Sequence, residues 1–123
     1  MKQLACALFL ACEIFAFEWK TLEEAKALQA KTHMPIMIDV VRTNCHYCTD
    51  MERDVFEDKA MSAWLEKRFI SVKINLDKEP LPFSVKVSMT PTFLFLNEKG
   101  EIIKSIPGSW SIEDFQSLTK GIK

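Results

Sequence analysis

The sequence predicts an α/β protein, a three-layer α/β/α sandwich on a mixed central sheet. Three observations predict it. Short apolar runs rich in β-branched residues, at 36–41, 69–75 and 92–96, alternate with segments in helical spacing. A further run at 101–106 follows a turn so closely that it pairs back as a hairpin partner. The chain is 123 residues long and 48% hydrophobic, enough for one domain with a real core and too apolar for a disordered segment.

The first sixteen residues stand apart. Met1-Lys2 supplies one positive charge, Leu4 to Cys12 runs apolar without a break, and Glu13-Ile14-Phe15-Ala16 follows. A basic start, a short apolar stretch and a small residue at the end make a secretory signal, cut after Ala16. The stretch falls short of the ~20 apolar residues that span a bilayer. Two alternatives are a lipoprotein signal with Cys12 as the lipidated residue and a buried N-terminal helix, which nothing caps. The expected organisation is a leader over 1–16 and one domain over 17–123, exported to the periplasm or an equivalent compartment.

Along the domain, Thr21-Leu22-Glu23-Glu24 opens a helix with Thr21 as cap and Glu24 at the capping-box position. Leu22, Ala25, Leu28 and Gln29 give its inner face, and it ends near His33 before Pro35. The run at 36–41 is interrupted only by Asp39, the pattern of a strand buried on both faces. A helix follows from Cys45 to about Arg53, and another begins near Asp58 with Ala60, Trp64 and Leu65 inward. The strand at 69–75 leads to a loop over 76–89 that contains Pro80 and Pro82, with a helical turn expected near 83–85. After the strand at 92–96, Asn97-Glu98-Lys99-Gly100 turns the chain into the hairpin. Pro107-Gly108 ends the hairpin, and Ser111 caps a last helix with Phe115 and Leu118 inward.

The chemistry centres on cysteine. Cys6 and Cys12 lie in the expected leader, so the domain keeps Cys45 and Cys48. A disulfide across so short a loop removes little entropy from the unfolded chain, which favours a redox centre over a structural staple. The pair follows a buried strand and opens a helix, where unpaired N–H groups and the helix dipole favour a thiolate. Cys45, nearer the exposed end, is the expected attacking sulfur, and Cys48 the resolving one. His46 adds positive charge beside the sulfur when protonated, and Tyr47 shields the pair or offers a surface to substrate backbone. Asp39, six residues before Cys45, is costly in an apolar strand unless paired or protonated. Burial would raise its pKa and fit it to accept the resolving thiol's proton; the plainer alternative is a carboxylate pointing to water. Thr90-Pro91 directly precedes a strand, where a proline sits at a strand start or in a turn.

Together Asp39, Cys45-His46-Tyr47-Cys48, Thr90-Pro91 and Gly108 resemble the thioredoxin superfamily in order and spacing. The stretch at 36–77 is similar to the thioredoxin-like disulfide reductases of the bacterial periplasm. The resemblance implies a thioredoxin fold and a cis Thr90–Pro91 bond facing the cysteines, with the backbone of Thr90 contacting an extended substrate strand. It also implies that Asp39 is the family's buried acid. Cytosolic thioredoxins carry Trp before the first cysteine and Gly-Pro between the two; here Asn44 and His46-Tyr47 replace them.

The expected activity is thiol–disulfide exchange with protein disulfide substrates in the reducing direction. The reactive group is the cysteine pair itself, with no dissociable cofactor and no metal. A membrane electron-donor protein is a candidate partner, and a monomer is the expected state. The alternatives are a disulfide-introducing oxidant and a copper(I) chaperone using Cys45, His46 and Cys48. A four-ligand zinc site finds too few donors, since the only other histidine of the domain is His33. The formal net charge of −1, with both signs scattered, gives no support to nucleic-acid binding.

Overall fold

Thr21 starts the first helix by the reciprocal pairing its sequence allows. Its hydroxyl accepts from the Glu24 N–H and the Glu24 carboxylate accepts from the Thr21 N–H, each at 3.2 Å. Such a box contributes about 1 kcal/mol to a helix start. In the computed structural model, which describes residues 17–123, helix α1 runs Leu22–Thr32. It ends at His33 in a left-handed conformation, φ 61°, whose N–H reaches the Gln29 carbonyl. The expected leader and cleavage point, with Cys6 and Cys12, lie outside the described residues.

Strand β1, Ile36–Val41, is buried along its whole length. It pairs in parallel with β2, Ile70–Asn75, and antiparallel with β3, Thr92–Leu96. β3 in turn pairs antiparallel with β4, Ile102–Pro107, so the mixed sheet has the order β2-β1-β3-β4. The alternation of side chains divides β1 between two cores. Ile36, Ile38 and Val40 face α1 through Ala25. Met37 faces a second core built from Met51, Val55, Phe56, Leu65, Phe93, Phe95 and Phe115. Each fully buried side chain of this size contributes roughly 1.5–3 kcal/mol.

The second core receives three helices. α2 is His46–Met51 and continues into a wider π-helical turn, Glu52–Phe56, closed by the Glu57 N–H on the Glu52 carbonyl at 2.9 Å. The helical path from the cysteines therefore extends past the expected end at Arg53. α3 is Lys59–Glu66, capped by Asp58, and α4 is Ile112–Thr119, capped by Ser111. In α3 the inner residues are Met61 and Leu65 with Trp64 half-buried, while Ala60 is exposed, one position out of phase with its expected place.

The helical turn expected near 83–85 is absent. Pro80 and Pro82 lack the N–H a turn would use, and Leu81, Phe83, Val85 and Val87 instead alternate with exposed residues and lay their side chains on the α1-side core. The N-terminal segment crosses the outer side of β2, where the Lys20 N–H bonds the Ser71 carbonyl at 2.8 Å. Among the described residues, no helix is long and apolar enough to cross a membrane.

Candidate active site

The carboxyl end of β1 delivers the chain to α2 through Asn44, which adopts φ 56°. Cys45 is the N-cap of α2, and its sulfur accepts the Cys48 N–H at 3.2 Å. Cys45 and Cys48 form a disulfide. The Thr90 hydroxyl donates to Cys45 Sγ at 3.4 Å, and the Thr90 carbonyl oxygen lies 3.5 Å from the same sulfur. Two donors therefore converge on Cys45 Sγ, the arrangement that stabilises a thiolate when the bond opens.

The loop that brings Thr90 here is clamped on both sides. The Thr90–Pro91 peptide bond is cis. The Thr92 hydroxyl closes on the Met89 carbonyl at 2.7 Å, and the Gly108 N–H donates to the Pro91 carbonyl at 2.8 Å. Gly108 needs its φ of 97° to present that N–H. Tyr47, between the cysteines, is 58% exposed, and the exposed side chains of Met89 and Trp110 flank Gly108.

His46 and Tyr47 project outward. His46 Nε2 stands 3.4 Å from Asp50 Oδ2, one turn along α2, and its ring meets Tyr47 edge to face at 5.7 Å. Asp50 is also paired with Arg53 at 3.1 Å. The imidazole is thus engaged by a carboxylate of its own helix. Among the described residues, no three His, Cys, Asp or Glu side chains converge as a metal-ligand group.

Asp39 is 2% exposed, and its Oδ1 has no hydrogen-bond partner. Burial pushes its carboxyl up to about 7, against the opposing pull of Lys73; the negative charge of Glu52 adds to the rise. Lys73 stands opposite Asp39 in the β1–β2 register, and its ammonium is 2.7 Å from Glu52 Oε2. Glu52 and Lys73 line a cleft of 240 Å³ whose walls include Val41, Asn44, Cys45, Cys48 and Thr49. The cation and the cysteines thus share one cleft, and the buried acid stands opposite that cation in the strand register.

Sequence reasoning missed Glu52 and Lys73. Glu52 lies four residues after Cys48, hence on the same helical face. Lys73 becomes visible only once β2 is known to run parallel to β1 and its register is fixed.

This fold and this disulfide at a helix start define a class. Residues 22–123 match the family model described as a thioredoxin-like domain, and the chain belongs to that family. It is similar to a thioredoxin from Thermus thermophilus, with 28% identity and a TM-score of 0.72, covering 88% of this chain and 92% of that one. The C-terminal domain of Neisseria meningitidis DsbD, in its oxidised form, shares the fold at a TM-score of 0.70 and 11% identity, over 82% of this chain and 91% of that one. Among curated proteins, human spermatogenesis-associated protein 20 is 35% identical over 68 residues, which is 55% of this chain. The matched stretch spans only 8% of that relative's length.

Proposed function

We propose that this protein is a thiol–disulfide oxidoreductase that reduces disulfides of exported proteins. The observation that carries the reading is the setting of Cys45. Its sulfur caps α2, takes N–H and O–H donors from Cys48 and Thr90, and faces the Thr90–Pro91 loop.

In the reduced protein the Cys45 thiolate attacks one sulfur of a substrate disulfide. A mixed disulfide forms and the other substrate sulfur leaves as a thiolate, which takes up a proton. Cys48 then loses its proton, with Asp39 as the acceptor, and attacks Cys45 Sγ. The second substrate sulfur leaves and the Cys45–Cys48 disulfide forms. Two electrons have passed to the substrate, and an external dithiol, for which a membrane electron-donor protein is the proposed source, restores the pair. The backbone of Thr90 would pair with an extended substrate segment, and Tyr47 would cover its flank.

The test is insulin reduction by dithiothreitol together with the equilibrium potential of the pair. Catalysis that Cys45→Ser abolishes, with a potential near −270 mV, supports a reductase; a potential near −120 mV would make the protein an oxidant. Absence of a reversible two-electron couple, with tight one-to-one copper(I) binding that blocks alkylation, would replace the proposal by a copper chaperone. Export is proposed from the 1–16 leader. Mass spectrometry of the mature product should find Phe17 as the first residue, and a lipidated Cys12 would place the protein on a membrane surface instead.

A further inference from the structure

Lys73 has a third neighbour that belongs to neither the cysteine motif nor the sheet. Its Nζ lies 4.4 Å from the centroid of the Trp19 ring, while Glu52 holds it from the other side at 2.7 Å. Trp19 is itself held in place. Its ring packs on Phe17 at 4.6 Å and stands nearly perpendicular to Phe56 at 5.1 Å. The next residue, Lys20, is fixed by its backbone bond to Ser71 on β2. An indole face attracts an ammonium through its quadrupole, the more so where water is partly excluded. A lysine side chain otherwise carries large rotamer freedom and a strong preference for water, and this one is still 32% exposed.

We infer that Trp19 is a positioning residue of the redox site: its ring keeps the Lys73 ammonium over the cleft floor, and through Lys73 it sets how readily Asp39 gives up its proton. The consequence for turnover rests on the exchange proposed at Cys45 and Cys48, whereas the arrangement itself does not. Asp39 is faced by Lys73 from β2, by Glu52 from the helix and, across β3, by the uncharged Phe93. Lys73 is the cation of this group. If it swings away, burial and Glu52 act on Asp39 unopposed, and the carboxyl holds its proton to higher pH.

The deciding measurement is a carbon-13 NMR titration of the Asp39 carboxyl in the oxidised full domain. It is made on the native sequence, Trp19→Leu, Trp19→Phe, Lys73→Met and the Trp19→Leu/Lys73→Met pair. Trp19→Leu should raise the carboxyl's proton affinity by about threefold, a size set by a partly screened cation–π contact. Trp19→Phe, with a weaker ring face, should fall between. In the Lys73→Met background Trp19→Leu should add nothing further. An equal shift in that background would show that Trp19 acts on Asp39 by a route other than Lys73, and would overturn the inference. So would an unchanged midpoint in a folded Trp19→Leu protein. If Trp19→Leu does not fold, Trp19→Phe measured with and without Lys73 makes the same decision. Because the readout is a carboxyl resonance, failure of insulin reduction would remove the proposed function without touching this result.

Discussion

Asp39 shows how much one buried carboxyl can cost a fold. Its carboxyl titrates near 7 in the folded chain because burial disfavours the charge, whereas an unfolded aspartate titrates near ~3.9. The folded state therefore binds this proton more tightly. The stability that comes from the protonated form is complete below about pH 4 and is lost as pH rises through about 7. Asp39→Asn should accordingly stabilise the protein at pH 8 by on the order of 2–4 kcal/mol and change little at pH 4. Urea unfolding across that range reads the difference, and a flat difference would mean the carboxylate is not desolvated. Thr90 offers a second residue-scale test, since its hydroxyl points at the Cys45 sulfur. Thr90→Val should move thiolate formation at Cys45 to higher pH, by about threefold to tenfold in proton affinity. Ultraviolet thiolate absorbance would follow it. The cysteines and the lone acid in an apolar strand were legible in the sequence, because each violates its local surroundings. Glu52 and Lys73 were not, because charged residues on a helix and a strand look like ordinary solvated surface until the register is known.

At the scale of elements, the site depends on three chain segments meeting at the end of β1: the start of α2, the loop before β3 and the end of β4. Gly108 joins the last two through its bond to Pro91. A Cβ there would meet nothing closer than 3.8 Å, so the cost of Gly108→Ala is the positive φ rather than a clash. That cost is roughly 1–2 kcal/mol, and relief of it by a backbone shift would unseat Pro91. Thermal unfolding should come at lower temperature and insulin reduction should slow, with the Cys45 thiolate titration moving far less than in Thr90→Val. The caps at Thr21 and Ser111 were readable from residue type and spacing, and both accept the expected backbone N–H groups; near Asp58 only a helix start was expected, and its carboxylate caps α3 in the same way. Within the loop expected at 76–89, a helical turn is expected near 83–85 where none forms. The period-two apolar alternation at 81–87 is present in the sequence, but Pro80 and Pro82 interrupt the N–H donors that mark a strand.

Across the molecule, β1 and β3 are shared by both cores, since their alternate side chains face opposite helical layers. Neither core can dissolve without stripping a wall from the other. A single cooperative transition follows. Trp19 and Trp64 pack on the α2–α4 core, and Trp110 is tied to it by its backbone N–H, which donates to Met51 Sδ. Tryptophan fluorescence therefore reports one face and far-ultraviolet dichroism reports both. Their denaturant midpoints should coincide; an earlier fluorescence change would show that the two layers melt separately. The sequence of element types was readable from periodicity. The assignment of α2, α3 and α4 to one face, with an extended segment helping α1 on the other, was not, because it follows from chain crossings that no local pattern encodes.

The backbone bond from Lys20 to Ser71 has one more effect. A four-stranded open sheet has two unfilled margins, each a template for pairing with another chain. At Lys20 the chain bridges the middle of the β2 margin with its own backbone. The β4 margin is left outermost. It is kinked by the irregular register opposite Phe95 and Leu96, carries Lys104 bent over to the Leu118 carbonyl, and ends in Pro107. A charge, a break in register and a residue without an N–H are devices that discourage strand addition. The protein thus carries obstacles to strand addition on both flanks of its sheet.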